Sequence, residues 1–363
     1  MAGKKITCII LTAAFLLAGC NRKTDISISS TESTSGSTTA TTTAASSEST
    51  ETTTVPAATT TTEAEQKKFE FNPHLMTPTL LPDIPQDYWD SFHNLCDALR
   101  EGKNTFECSS KEAYEWATDP VTLTELFPAA CVKITNKSKD GKKPYSKGTG
   151  RIWYTIPVED YLKRQADFEK YITDTLNSCI EYDDTDFEKC LKLYDYMEKN
   201  FRYEHFDDKD NGSIYYTLMN HAGVCNELSS AYAYFLLQAG IEAFHVGEFD
   251  EMDHAWTYMV IDGKGYHSDP TWSLTYDTEE PLPLYYFIMS GDRRTYTGCP
   301  VDNLTLPLLP KFWLNSSKSK FSADDESLSF PESTFMISLD EENKIVRYKD
   351  YDGNEYELKY GNK

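Results

Sequence analysis

Three side chains of this sequence, Cys225, His254 and Asp269, have the types and the spacing to act together on a carbonyl. Cys225 ends the loop HAGVC and opens a stretch in which Leu228, Ala231, Phe235, Leu236 and Ala239 recur at helical spacing. Gly240 is placed to close that helix. The thiol therefore falls in or just before a first turn, where unpaired N–H groups and the helix dipole favour an anion. A thiolate is such an anion, and the same N–H groups can stabilise the oxyanion formed when it attacks a carbonyl. Gly223 reads as a residue that turns the loop tightly and leaves room for substrate.

His254 begins the run HAWTYMVI, whose alternation reads as a strand; Asp262-Gly263 starts a turn, and Lys264 to Asp269 returns. Ile261 then opposes Lys264 and Trp256 opposes Asp269, so His254 lies diagonally across from Asp269 on one face. A slip of one residue would put them on opposite faces. A thiol nucleophile needs an imidazole partner, and the imidazole needs a group that fixes its tautomer. Each residue alone has an ordinary explanation: a small buried thiol, a satisfied strand histidine, an aspartate capping a turn before Pro270. The three together favour a Cys-His-Asp triad.

GVCNELSSAYAYFLLQAGI followed by HAWTYMVIDGKGYHSDPTW resembles the transglutaminase-like superfamily, whose core is shared with papain-type cysteine peptidases. The resemblance runs from about Phe187 to Trp272. It implies an α+β fold in which a helix carrying the cysteine packs on an antiparallel sheet. It also implies catalytic roles for Cys225, His254 and Asp269, with no cofactor and no metal required. Papain-like enzymes place a glutamine shortly before the nucleophile as a second oxyanion donor, and none is close here. Asn220, His221, Tyr215 and Tyr216 are the nearby candidates, and the second donor stays open. Trp256 and Trp272 either flank the cleft and shield the His–Asp pair or serve as core aromatics. His267 either lines the pocket or simply sits on the hairpin.

Other elements must position these groups. DYWDSFHNLCDALREG reads as a helix with Trp89, Phe92, Leu95, Cys96 and Leu99 on its apolar stripe, after a proline-rich extended lead-in. SSKEAYEWA adds a short capped helix. Residues 127–159 read as a β-hairpin, with Val132 and Ile134 outgoing and Ile152, Tyr154 and Ile156 returning around a basic turn. Two helices follow: one carries Tyr161, Leu162, Phe168, Ile172 and Leu176, the other Phe187, Cys190, Leu191, Tyr194 and Met197, capped by Asp184 or Asp186. LPLYYFIMS suits a buried strand or a helical turn, and LPLLPK suits a loop with Trp313 as an anchor behind it. The tail from Phe335 alternates as two or three antiparallel strands.

The first nineteen residues pair Lys4 and Lys5 with an apolar run that ends in LLAGC. A membrane span needs roughly 20 apolar residues, so this reads as a leader, and LLAGC resembles a bacterial lipobox with Cys20 as the lipidated residue. Residues 24–62 hold 25 Ser or Thr among 39, too little to bury against the entropy of ordering, and read as a stalk. The expected layout is a leader over 1–19, lipidated Cys20 and stalk over 20–68, and a helical and hairpin region over 69–180. A transglutaminase-like core over 181–300 and a β-rich extension over 301–363 complete it. Loss of two lysines with the leader takes the formal charge from −23 to −25, which argues against nucleic acid and against unaided adhesion to anionic lipid. Of nine cysteines, seven follow Cys20; Cys96 with Cys108, or Cys179 with Cys190, are candidate bridges. No CxxC or spaced Cys/His cluster offers a zinc site.

The functional expectation is a thiol enzyme anchored through Cys20 at the extracytoplasmic face of a bacterial membrane, acting on peptide or amide bonds. Hydrolysis is preferred to amine transfer, with cell-wall peptides or host and surface proteins as substrates. The alternatives are a protein cross-linking transglutaminase and a non-catalytic surface module that binds a protein or glycan.

Overall fold

The computed structural model describes residues 67–205, 213–248, 252–274, 281–301, 304 and 321–361. Cys20, the leader, the stalk as far as residue 66 and the LPLLPK stretch with Trp313 lie outside the described residues. By contacts the chain divides after Thr62, and every described residue falls in the unit Glu63–Lys363. Among the described residues, no helix is long and apolar enough to cross a membrane.

The lead-in runs into α1 (Gln86–Arg100), whose Trp89, Phe92, Leu95, Cys96 and Leu99 are all buried, and Gly102 ends the element with a positive φ. Strand β1 (Thr105–Glu107) and α2 (Lys111–Ala117) follow, with Ser110 accepting from the Ala113 N–H as a cap. A further helix, α3 (Pro120–Leu126), starts on Asp119 and was not legible in the sequence. The expected hairpin is only partly present. Strand β2 (Ile134–Thr135) does pair with β5 (Trp153–Tyr154), Ile134 opposite Tyr154. The basic turn between them holds a second hairpin, β3 (Tyr145–Ser146) with β4 (Thr149–Arg151), and β4 crosses to β1. Val132 is exposed with a positive φ rather than facing inward, because the turn after Pro128–Ala130 reverses the chain there.

Helices α4 (Val158–Cys179) and α5 (Asp186–Asn200) bury the anticipated stripes, although Leu162 is only half-buried. The cap of α5 is Thr185, not Asp184 or Asp186. Its hydroxyl accepts from the Glu188 N–H at 3.2 Å while Glu188 Oε2 accepts from the Thr185 N–H at 2.7 Å, a reciprocal box. Asp184 instead pairs with Lys192 at 2.8 Å. Strand β6 (Arg202–Tyr203), α6 (Ile214–Asn220), β7 (Ala222–Gly223) and α7 (Cys225–Gln238) then lead to a meander of β8 (Ala243–Glu248), β9 (His254–Ile261) and β10 (Lys264–Ser268). The sheet order is β10-β9-β8, antiparallel throughout.

Helix α7 is buried on every side from Leu228 to Gln238, not along one stripe. It packs against β8 and β9, and against α5 and α6. Ser229 donates to the Ala255 carbonyl at 3.0 Å and Thr257 donates to the Ser229 carbonyl at 2.9 Å, pinning helix to sheet. Each large apolar side chain buried here contributes about 2 kcal/mol, so α7 is the axle of the packing. After β10 come α8 (Pro270–Ser273) and α9 (Gly291–Tyr296), and LPLYYFIMS forms neither strand nor helix. It is held along β10 by an isolated bridge, His267 opposite Met289.

The tail forms β11 (Phe335–Asp340), β12 (Ile345–Lys349) and β13 (Glu355–Lys359). It docks on the start of α5: Tyr360 stacks on Phe187 at 4.4 Å and donates to Glu188 Oε1 at 2.6 Å, which Lys344 also reaches at 2.8 Å. All seven described cysteines are free thiols, so neither Cys96–Cys108 nor Cys179–Cys190 is bridged. Cys96 and Cys190 are core residues of α1 and α5, and the Cys108 thiol donates to the Ser110 carbonyl at 3.3 Å. Replacing Thr185 by Ala removes one arm of the box at α5, and chemical denaturation is expected to show a loss of about 1 kcal/mol with unchanged cooperativity.

Candidate active site

Cys225 is the first residue of α7, half-buried, and no side chain caps the helix start. Glu227 Oε2 accepts from the Val224 N–H at 3.2 Å, but valine has no acceptor to complete the box. The first intrahelical bond is Leu228 N–H to the Val224 carbonyl. The N–H groups of residues 225–227 thus open the helix beside the sulfur. The approach to the thiol is fixed by β6 and β7, a parallel pair in which Tyr203 registers with Gly223. Tyr203 is exposed, and its hydroxyl is raised by partial burial and then by Cys225, Glu227 and Asp253, which face it. Gly223 does not hold space for substrate. A Cβ there would lie 2.8 Å from Thr217 Oγ1 and 3.0 Å from Glu227 Cβ, so the protein itself fills the volume.

His254 opens β9 and Asp269 follows β10 in the register set by the Asp262-Gly263 turn, where both residues have positive φ and Ile261 faces Lys264. Asp269 has no solvent exposure. Its Oδ1 accepts from the Thr271 and Trp272 N–H groups at 3.1 Å each, and its own N–H donates to the Tyr286 carbonyl at 2.8 Å. Its Oδ2 accepts from His254 Nε2 at 2.7 Å and from Arg294 Nη2 at 2.8 Å. Cys225 acts on the same imidazole, helping to raise its pKa, and since Nε2 is committed to Asp269, Nδ1 is the ring nitrogen left for sulfur. Trp272 lies flat on the His254 ring, centroids 4.7 Å apart and planes 14° from parallel.

The electrostatics favour an imidazolium. Burial opposes the charge on His254, but the Asp269 carboxylate and its hydrogen bond, together with the Cys225 contact, overcome it and raise the pKa to about 9. Burial also works against ionised Asp269, yet Arg294, His254 and the Trp272 N–H hold it below its ordinary value. Behind them, burial pushes the Glu198 carboxyl up to about 9, with Asp269 and Asp195 adding to it. Beside it Ser273 bonds the Tyr194 hydroxyl, and Tyr194 donates to the Asp269 carbonyl at 3.2 Å. This arrangement can carry an attacking sulfur, a proton carrier and a fixed anion in one line.

Several sequence candidates lie elsewhere. Asn220 is exposed and its amide donates to the Tyr216 carbonyl within α6. His221 takes the left-handed conformation that ends α6; its ring stacks on Phe201 at 4.8 Å and its Nε2 meets the Tyr171 hydroxyl at 3.0 Å. Tyr215 faces α4, packed on Phe168 under the Arg164 guanidinium, and Tyr216 is half-buried on the same turn of α6. Trp256 is wholly buried, so it backs the cleft while Trp272 covers the ring. His267 is a core residue, accepting from Trp256 Nε1 at 3.0 Å, and burial with Arg294 drives its pKa down to about 3. His245, on β8, is pinned by Ser230 at 2.6 Å and by Glu125 at 3.2 Å, away from the thiol.

Arg294, Tyr203 and Glu248 were not singled out from the sequence. Glu248 is buried and registers directly opposite His254 across β8 and β9. Nothing in SGDRRTY distinguishes Arg294 from Arg293, and the RYE stretch looks like a helix end. The one available signal for Glu248 was its place in an alternating strand beside His254.

Residues 173–270 match the transglutaminase-like superfamily. That segment runs from α4 to the first residue of α8 and holds Cys225, His254 and Asp269, but not Arg294. No curated protein matches the chain. Solved structures similar to the chain include two bacterial proteins. One is from Cytophaga hutchinsonii and its name proposes a cysteine protease: 21% identity, TM-score 0.22, covering 32% of this chain and 45% of that one. The other is from Parabacteroides distasonis and its name proposes a protease: 14% identity, TM-score 0.22, covering 36% of this chain and 30% of that one. The chain thus spans less than half the length of either.

His254 is expected to titrate near pH 9 by histidine NMR. In Asp269→Asn, burial and the Arg294 charge are opposed by Cys225 without the carboxylate, and the midpoint falls well below 9. Because the folded value is raised, the stability His254 contributes is complete below about pH 6.5 and lost as pH rises through about 9. A midpoint unmoved by the substitution would contradict the assigned pair.

Proposed function

We propose that this chain is a thiol enzyme that hydrolyses peptide or amide bonds through Cys225, His254 and Asp269. The observation that supports it is the buried 2.7 Å bond from His254 to Asp269, with Cys225 at an uncapped helix start acting electrostatically on the same imidazole. In this reading the Cys225 sulfur, as thiolate, attacks the carbonyl carbon, and the first-turn N–H groups of α7 receive the oxyanion. As the C–N bond breaks, the His254 imidazolium gives its proton to the leaving amine. A thioester remains. Neutral His254 then takes a proton from water, the resulting hydroxide attacks the thioester, and the C–S bond breaks to release the acid. Asp269 keeps its charge throughout and holds the ring. In this reading Tyr203, whose strand registers with Gly223 and whose hydroxyl feels the Cys225 charge, is the candidate for a further donor to the oxyanion.

Peptides, including cell-wall stems and surface proteins, are the substrates this chemistry suits, with Cys20 as the lipid anchor and the Ser/Thr-rich segment as tether. Iodoacetamide labelling followed by peptide mass mapping tests the thiol. Cys179 is the internal control, since it is half-buried like Cys225 while burial raises its thiol pKa. Cys225 is expected to label first, and labelling no faster than Cys179 would sink the reading. Cys225→Ala should abolish turnover of a mixed peptide and amine library, in which new carboxyl termini mark hydrolysis and amine adducts mark transfer.

A further inference from the structure

We propose that Arg294 is a positioning residue of the Cys225 site, holding Asp269 so that one carboxylate oxygen serves both guanidinium and imidazole. The inference rests on Cys225, His254 and Asp269 being the reacting triad.

Arg294 has no solvent exposure. Among its described ion pairs the carboxylate partner is Asp269, reached by Nη2 at 2.8 Å. Nη1 meets Thr297 Oγ1 at 3.2 Å, and Nε makes no hydrogen bond among the described residues. Burying a guanidinium that is only partly satisfied is costly, so this arrangement is poorly explained by stability alone. The group is nevertheless held firmly. Its carbon sits 4.2 Å from the Trp256 ring centre and 4.6 Å from that of Trp272, and Trp272 in turn lies on His254. Helix α9 is fixed at its start by the Ser290 hydroxyl on the Arg293 N–H and by Gly291 N–H on the Ala323 carbonyl at 2.7 Å. Arg294 N–H then bonds the Ser290 carbonyl at 2.8 Å.

The consequence is chemical. Arg294 and His254 share Oδ2, so the guanidinium orients the carboxylate while its charge opposes a proton on the imidazole. The groups facing His254 are Cys225 on α7, Glu248 opposite it on β8, Asp269 after β10 and Arg294 on α9, with Asp253 preceding it in the chain. Around the Asp269–Arg294 pair lie His267, Glu198 and the buried thiol of Cys299. Arg294 is the cation in this set with no exposure, and it belongs to a segment outside the matched family region.

The test uses the full chain with Arg294→Met and Arg294→Lys, read by kcat and KM on a cleaved peptide and by the NMR midpoint of His254. For Arg294→Met, kcat should fall roughly 10- to 100-fold with KM little changed, as expected for a misplaced ring. The His254 midpoint should rise above about 9, because a positive charge that lowered it is gone. Arg294→Lys keeps the charge and so the midpoint, but lacks the planar fork, so kcat stays low. A purely structural role would lower the folded fraction while leaving kcat per folded molecule at the parental value in both variants. Parental kcat and midpoint in both variants would overturn the proposal. Should the Met variant not fold, parental kcat in the Lys variant alone overturns it. The midpoint needs no turnover. A parent without thiol-dependent cleavage therefore ends the functional reading, while the midpoint still reports on Arg294.

Discussion

A carboxylate cut off from water keeps its charge only where donors replace the solvent, and Asp269 is the point where this protein meets that condition. Four donors converge on its two oxygens: two backbone N–H groups of α8, the His254 ring and the Arg294 guanidinium. They come from three parts of the chain, so the β9–β10 hairpin, the short α8 and the distant α9 must be correctly placed at once. The segment 284–290 contributes no side chain to the carboxylate, yet its backbone clamps β10 and the Asp269 N–H. Local chain geometry thereby becomes charge geometry, and the charge decides whether the imidazole beside Cys225 is protonated.

The thiol end of the site obeys a different constraint. Helix α7 is surrounded on all sides and can shift little, so the sulfur at its first residue is positioned by core packing rather than by polar contacts. The soft side of the cleft is the β6–β7 pair, two residues per strand, which carries Tyr203.

The sequence made the positions of Cys225, His254 and Asp269 legible because each sits where a local rule speaks: a helix start, a strand start, and the far end of a hairpin whose Asp-Gly turn sets the register. The helices α1, α4 and α5 announced themselves by periodicity for the same reason. Arg294 was silent because its role is non-local; a short polar helix has no pattern that says its arginine points into a core. His221 misled because a histidine near a cysteine looks chemical, whereas its backbone conformation and aromatic surroundings make it the end of α6. Gly223 misled in the same manner, its missing side chain being needed by Thr217. Val132 failed because alternation cannot reveal a reversal of the backbone.

The docking of the tail on Glu188 bears on what counts as the smallest independent unit. Glu188 is sealed from solvent, and despite that burial Lys344, Tyr360 and Thr185 keep its carboxyl ionised, with a pKa of about 2. A version trimmed to the family segment would strip this anion of its cation and of the Tyr360 hydroxyl together, at the mouth of the helix that carries Tyr194 toward Asp269. The transferable module is therefore longer than the recognisable one, and its last strands act as a keystone for a site they never touch.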